Sequence, residues 1–305
     1  MDIATAPVLG TGRHRYRYIR DWARLPRGWS FGDPGPALIP PRTVVKGACT
    51  AAGEIVVVAR GAHPVLVFDS AGSFVTAWGE GEFTPWLHGV TVVRDGSIWI
   101  IDSALHTATR HSPDGTRLQT LGNPHSPAPT WYGGPFNMPT GLAEAPDGTL
   151  YVSDGYGNRR VHRFAPDGTH LLSWGEPGEG PGQFALVHYL AVGPDGTVFV
   201  CDRENDRLQL FDAEGRFLAE WRGFERPSDI ALADGHACVV GADGIHFLTL
   251  AGERLAHIGA NEPPDGALRA HGVWLDADEN VFIAQFGGVV SKLERIQGQV
   301  EGGAR

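Results

Sequence analysis

The chain has 305 residues, 42% of them apolar, enough to bury a large core in one domain or two smaller ones. A formal charge of −10 without any run of five or more like charges argues against a nucleic-acid partner, and no window approaches the roughly 18 apolar residues of a membrane span. The 42 glycines and 22 prolines suit short strands joined by tight turns, and long helical patterns are missing.

Met1 to Gly12 shows no basic region followed by an apolar stretch, so a cytoplasmic protein with a flexible N-terminus over residues 1–12 is expected. Arg15 to Trp22 alternates as a strand does, yet no partner strand lies nearby in sequence. Residues 23–42, with Pro34, Pro36, Pro40 and Pro41, then cross to a series of repeats. The clearest repeat runs from Tyr151 to Phe164, through the turn Asp167-Gly168, to Leu171–Gly175, and reads as two strands, a tight turn and a third strand. It recurs at 198–221 and 97–122, with weaker copies at 54–79, 236–259 and 280–296.

Six copies of one unit predict an all-β, six-bladed β-propeller over residues 13–297, with 298–305 as a flexible tail. The last copy lacks a closing strand of its own, so the N-terminal strand is expected to pair with it and close the ring. Two Gly- and Pro-rich insertions, 123–135 and 176–182, are expected to be loops on one face. Trp86, Trp131, Tyr132 and Phe136 either wall the channel mouth or pack between blades. Cys49, Cys201 and Cys238 are odd in number and lack metal-ligand spacing, which fits small buried hydrophobes in a reducing compartment.

Aligned on the start of the innermost strand, the copies place His88, Thr140, His188, Ser228 and His271 at equivalent positions, 40 to 52 residues apart. Innermost strands line the channel, so His88, His188 and His271 on alternate blades would face the axis about 120° apart. Three neutral imidazoles and a vacant fourth position suit a catalytic Zn²⁺, although other divalent transition metals accept the same nitrogens. The remaining histidines, among them His63, His106 and His125, read as surface or loop residues. A second shared position, after the next strand, holds Arg60, Ser103, Gly155 and Arg203, with Tyr156 one place on. Arg60 and Arg203 either clamp a substrate carboxylate or pair with a neighbouring Asp, and Tyr156 either exchanges a proton or packs.

The three-strand unit resembles NHL repeats. Ser153 to Asn158, Gly182 to His188, Asp202 to Asn205, Arg60-Gly61, His88-Gly89 and His271-Gly272 together resemble peptidyl-α-hydroxyglycine α-amidating lyases. The resemblance implies zinc on His88, His188 and His271, a catalytic Tyr156 with active-site Arg60 and Arg203, and cleavage of a carbinolamide to an amide and glyoxylate. Gly272 stands where that family's structural calcium takes an acidic ligand, and Gly157 where secreted members carry a cysteine. The expected reaction is therefore metal-dependent C–N cleavage of a small α-hydroxy amide bearing a carboxylate, with no nucleic-acid or membrane partner and no oligomeric state specified. A metal-dependent hydrolase or isomerase, and a non-enzymatic interaction propeller, remain the alternatives.

Overall fold

The computed structural model describes residues 6–32, 44–129, 136–264, 266 and 268–296. Six antiparallel sheets form the blades of a β-propeller: 44–78, 87–122, 141–174, 187–222, 229–259, and 270–295 joined by the N-terminal strand His14–Ile19. The innermost strands Val44–Cys49, Leu87–Val92, Gly141–Glu144, Val187–Val192, Asp229–Ala233 and Ala270–Leu275 follow one another around the axis, the sixth lying against the first. Among the described residues the helical content is one 3-10 turn, Arg203–Asn205, and no helix is long and apolar enough to cross a membrane.

Each second strand is covered on both faces by neighbouring blades, so Ile55–Ala59, Ile98–Asp102 and Val198–Asp202 are buried along their whole length. Outer strands such as Arg117–Gly122 and Phe217–Arg222 alternate toward solvent. The core is accordingly divided among the six blade interfaces. Between blades 1 and 2, for example, Val56, Val58 and Val65 pack on Leu87, Val90 and Ile100.

The ring closes as the sequence implies. Tyr16 pairs with Arg295 and Ile19 with Lys292, and Arg17 bonds Glu294 at 2.7 Å across the seam. Residues 1–12 are not all free of structure, however. Val8–Thr11 adds a fifth strand outside His14–Ile19, because Gly12 at φ +57° permits a two-residue hairpin turn and Leu9 finds a buried site. The insertion 176–182 also carries a short parallel pairing, Glu176–Pro177 with Gln183–Phe184. The prolines of 33–43, the residues 130–135 and the tail 297–305 lie outside the described residues.

Candidate metal centre on the channel axis

In blades 2, 4 and 6 the histidine is one residue inside the innermost strand, where the pairing slips. Register passes from Leu87 to Gly89, from Val187 to Tyr189 and from Ala270 to Gly272, leaving His88, His188 and His271 unpaired in β-bulges. A bulge re-aims the side chain of its extra residue. The three rings converge, with centroids 4.8 to 5.1 Å apart.

The other three blades fix these rings. His88 Nδ1 lies 2.6 Å from the Thr140 carbonyl, His188 Nδ1 2.6 Å from that of Ser228, and His271 Nδ1 2.9 Å from that of Val45. A carbonyl only accepts, so each Nδ1 carries the proton and each Nε2 keeps a bare lone pair. Burial also keeps the rings neutral: it depresses His88 and His188 well below the ordinary range and His271 to about 3, aided by the charge of Arg203 and, at His88 and His271, of Arg60. One ligand atom from each residue lies within 4.8 Å of the others. Neutral nitrogens whose outer protons are held by carbonyls fit a divalent transition metal.

Tyr156 follows the strand Leu150–Asp154 on a turn pressed against blade 4. A side chain at Gly155 would meet the Val187 carbonyl at 1.8 Å, so only glycine lets the turn sit there. The phenol reaches the ring of histidines, 2.8 Å from His88 Nε2 and 3.2 Å from His188 Nε2. Burial raises its pKa, and Arg203 and Arg60 only partly oppose this. Both arginines lower it, but not enough to offset burial, so without a metal Tyr156 is a neutral phenol.

Arg60 donates from Nε to the Leu87 carbonyl at 2.9 Å and lies over the Trp86 ring, 5.7 Å from its centroid. Among the described residues no carboxylate pairs with it. Arg203 differs. Its Nε and a terminal nitrogen both bond one oxygen of Glu204, at 2.9 and 2.8 Å, and Arg226 shares that oxygen at 2.8 Å. Ser103 and Arg203 do hold equivalent places, each backbone N–H bonding the residue two before a ring histidine, Trp86 and Leu186. A cavity of about 560 Å³ opens beside His271, lined by Arg203, Arg226, Arg269, Leu268 and Phe286.

The channel floor is absent from the sequence reading. The residues after the six axial positions are Lys46, Gly89, Gly141, Tyr189, Asp229 and Gly272. Tyr189 spans from blade 4 across Gly141, whose added Cβ would lie 2.7 Å from its ring, to the Val90 carbonyl in blade 2 at 3.4 Å. Lys46 spans from blade 1 across Gly272 to Asp229 and to the Val273 carbonyl at 2.5 Å, and its ammonium lies 4.4 Å from the centre of the Tyr189 ring. These two bars cross the channel beneath the histidines. Gly272 admits no side chain, because a Cβ there would meet the Val45 carbonyl at 2.5 Å, which excludes an acidic calcium ligand at that position.

Other expectations change. His14, His111, His162 and His246 are buried rather than surface residues, and His162 bonds the buried Asp154 at 3.1 Å. Phe136 is fully buried between blades 2 and 3, so it packs and does not wall the mouth. Trp131 and Tyr132 lie outside the described residues. Cys201 and Cys238 are buried free thiols, and Cys49 is half-buried.

No protein-family model matches the chain. Over 141 residues it is 39% identical to peptidyl-glycine alpha-amidating monooxygenase A of Xenopus laevis, a match covering 44% of this chain and 15% of that protein. It is 32% identical over 190 residues to NHL repeat-containing protein 3 of Homo sapiens, covering 58% of this chain and 54% of that protein. With peptidyl-alpha-hydroxyglycine alpha-amidating lyase 1 of Drosophila melanogaster it shares 31% identity over 157 residues, covering 47% of this chain and 28% of that one. The chain thus aligns to between 15% and 54% of the length of these relatives. In fold it resembles a streptogramin B lyase, at TM-score 0.63 and 16% identity over 87% of this chain and 96% of that one. It also resembles a gluconolactonase of Xanthomonas campestris, at TM-score 0.64 and 17% identity over 94% of both chains. The protein is a six-bladed β-propeller whose homologues include peptidyl-α-hydroxyglycine amidating lyases and NHL repeat-containing proteins.

Proposed function

We propose that the protein is a metal-dependent lyase that cleaves the C–N bond of a small α-hydroxy amide carrying a carboxylate, R-CO-NH-CH(OH)-COO⁻, to R-CO-NH₂ and glyoxylate. The observation that carries this reading is the Tyr156 hydroxyl, 2.8 and 3.2 Å from the Nε2 atoms of His88 and His188. His88, His188 and His271 would hold the metal, zinc or another divalent transition ion, which when bound supplies Lewis acidity to the substrate hydroxyl and lowers the pKa of Tyr156.

Arg60 is anchored through Nε, so its terminal nitrogens are the ones to take the substrate carboxylate. Arg203, already held by Glu204, adds positive charge at the same mouth. Tyr156 as phenolate takes the hydroxyl proton. The C–O electrons form the aldehyde, the C–N bond breaks, and the phenol returns the proton to the leaving amide nitrogen. The floor of Lys46, Asp229 and Tyr189 crosses the channel, so substrate and products would pass through the opposite mouth.

The test is Tyr156→Phe. With metal retained, it should lower kcat for glyoxylate release from an N-acyl-α-hydroxyglycine by about 10²- to 10⁴-fold. A hydrolase working through a metal-activated water would keep its activity in that variant, and full lyase activity there would remove Tyr156 from the mechanism.

A further inference from the structure

We infer that the outer part of blade 5 carries a second transition-metal site, formed by Asp243, His246 and His257 and separate from the channel axis. The site arises where blade 5 departs from the repeat. In blades 3 and 4 the second strand ends in a buried carboxylate, and the third-strand side chain two residues past its register partner bonds to it: His162 to Asp154 at 3.1 Å, and Gln209 to Asp202 at 3.3 Å. His246 holds the same place in blade 5, but the carboxylate position is Gly241. His246 turns instead to Asp243, with Nε2 3.0 Å from Oδ1.

His257 lies directly opposite His246 across the strands Gly244–Thr249 and Arg254–Gly259, so both imidazoles stand on one face of the sheet. Their rings stack, centroids 4.5 Å apart and 26° from parallel, and His257 Nε2 lies 3.2 Å from the Asp243 carbonyl. One donor atom from each of the three residues falls within 4.8 Å of the others. His246 is fully buried, yet its Nδ1 has no hydrogen-bond partner among the described residues, which is rare for a buried polar group.

Two imidazoles and one carboxylate suit Zn²⁺, Ni²⁺, Co²⁺ or Cu²⁺, whereas Ca²⁺ and Mg²⁺ prefer oxygen ligands. His257 is exposed and Asp243 half-buried, so solvent reaches the cluster and water can complete the coordination. The site is connected to the mouth of the channel. Ala260 N–H bonds the Asp243 carbonyl at 2.9 Å, and Ala242, Ala260 and Asn261 line the cavity beside His271. A metal on this hairpin would stiffen that wall.

The experiment is equilibrium dialysis of the full chain against Zn²⁺, followed by elemental analysis. About two zinc ions per chain are expected, falling to about one in His257→Ala and about one in His271→Ala. Asp243→Asn serves as a second variant for the outer site, and in His271→Ala zinc should still raise Tm until His257→Ala is added. Two zinc ions retained in His257→Ala and Asp243→Asn would overturn the inference. So would a single zinc that only His271→Ala removes. A single zinc lost in His257→Ala would uphold the outer site and count against the channel centre instead.

Discussion

The imidazole of His88 donates its Nδ1 proton to the backbone carbonyl of Thr140 across 2.6 Å. His188 and His271 do the same to Ser228 and Val45, so blades without an axial histidine orient those of the blades that have one. Because the acceptors are backbone atoms, they hold whatever side chain the odd-numbered blades carry. His188→Ala should therefore abolish channel metal binding while far-UV circular dichroism is unchanged. The stability cost should be about 1–3 kcal/mol, for a buried carbonyl left without its donor. A variant that keeps its channel metal would refute the ligand assignment.

Arg60 and Arg203 stand at equivalent places but should behave differently. Arg60 has its terminal nitrogens available, whereas Arg203 is bonded to Glu204. In steady-state kinetics Arg60→Lys should raise KM about tenfold, roughly 1.4 kcal/mol, since lysine lacks the bidentate fork. Arg203→Lys should have the smaller effect. Equal effects would mean that both guanidinium groups share the carboxylate.

The floor makes a stability prediction. Lys46 and Asp229 are both buried, with side chains 8% and 1% exposed. Lys46→Met leaves the Asp229 carboxylate without its cation and should cost about 3–5 kcal/mol in denaturant unfolding. The double variant Lys46→Met/Asp229→Asn should recover part of that loss. An additive double variant would mean that the two charges do not stabilise each other.

The seam of the ring should be sensitive to acid. His14 is 6% exposed, stacks on Phe247 with centroids 4.7 Å apart, and has no hydrogen-bond partner among the described residues at either ring nitrogen. Burial lowers its pKa to about 4, helped by His236, Arg295 and Arg13. The unfolded chain binds this proton near pH 6.5 and the folded chain only near 4, so stability falls as pH drops through that window, by at most about 3 kcal/mol. His14→Phe should flatten this part of the stability profile. An unchanged slope would assign it to other groups, the axial histidines included.

The blades and their closure were legible because second strands buried on both faces must read as apolar runs, and because a strand with no local partner must find a distant one. The axial histidines were legible from their shared register. The bulges beneath them were not, since an unpaired extra residue leaves no mark in the hydrophobic pattern. Nor was the floor, which depends on three glycines making room for side chains from other blades. Val8–Thr11 lies in the stretch expected to be flexible, although Gly12-Arg13 is a readable two-residue turn. The partner of Arg203 is Glu204 and not the neighbouring Asp expected, because adjacent charges do not reveal where the guanidinium points.

The measurement that bears most directly on the account is anomalous diffraction at the zinc edge from crystals grown with Zn²⁺. The account predicts a peak on the axis, about 2.0–2.1 Å from the Nε2 atoms of His88, His188 and His271, with the Tyr156 oxygen beside it. An axis without a peak, in crystals where the three imidazoles keep their carbonyl partners, would contradict it.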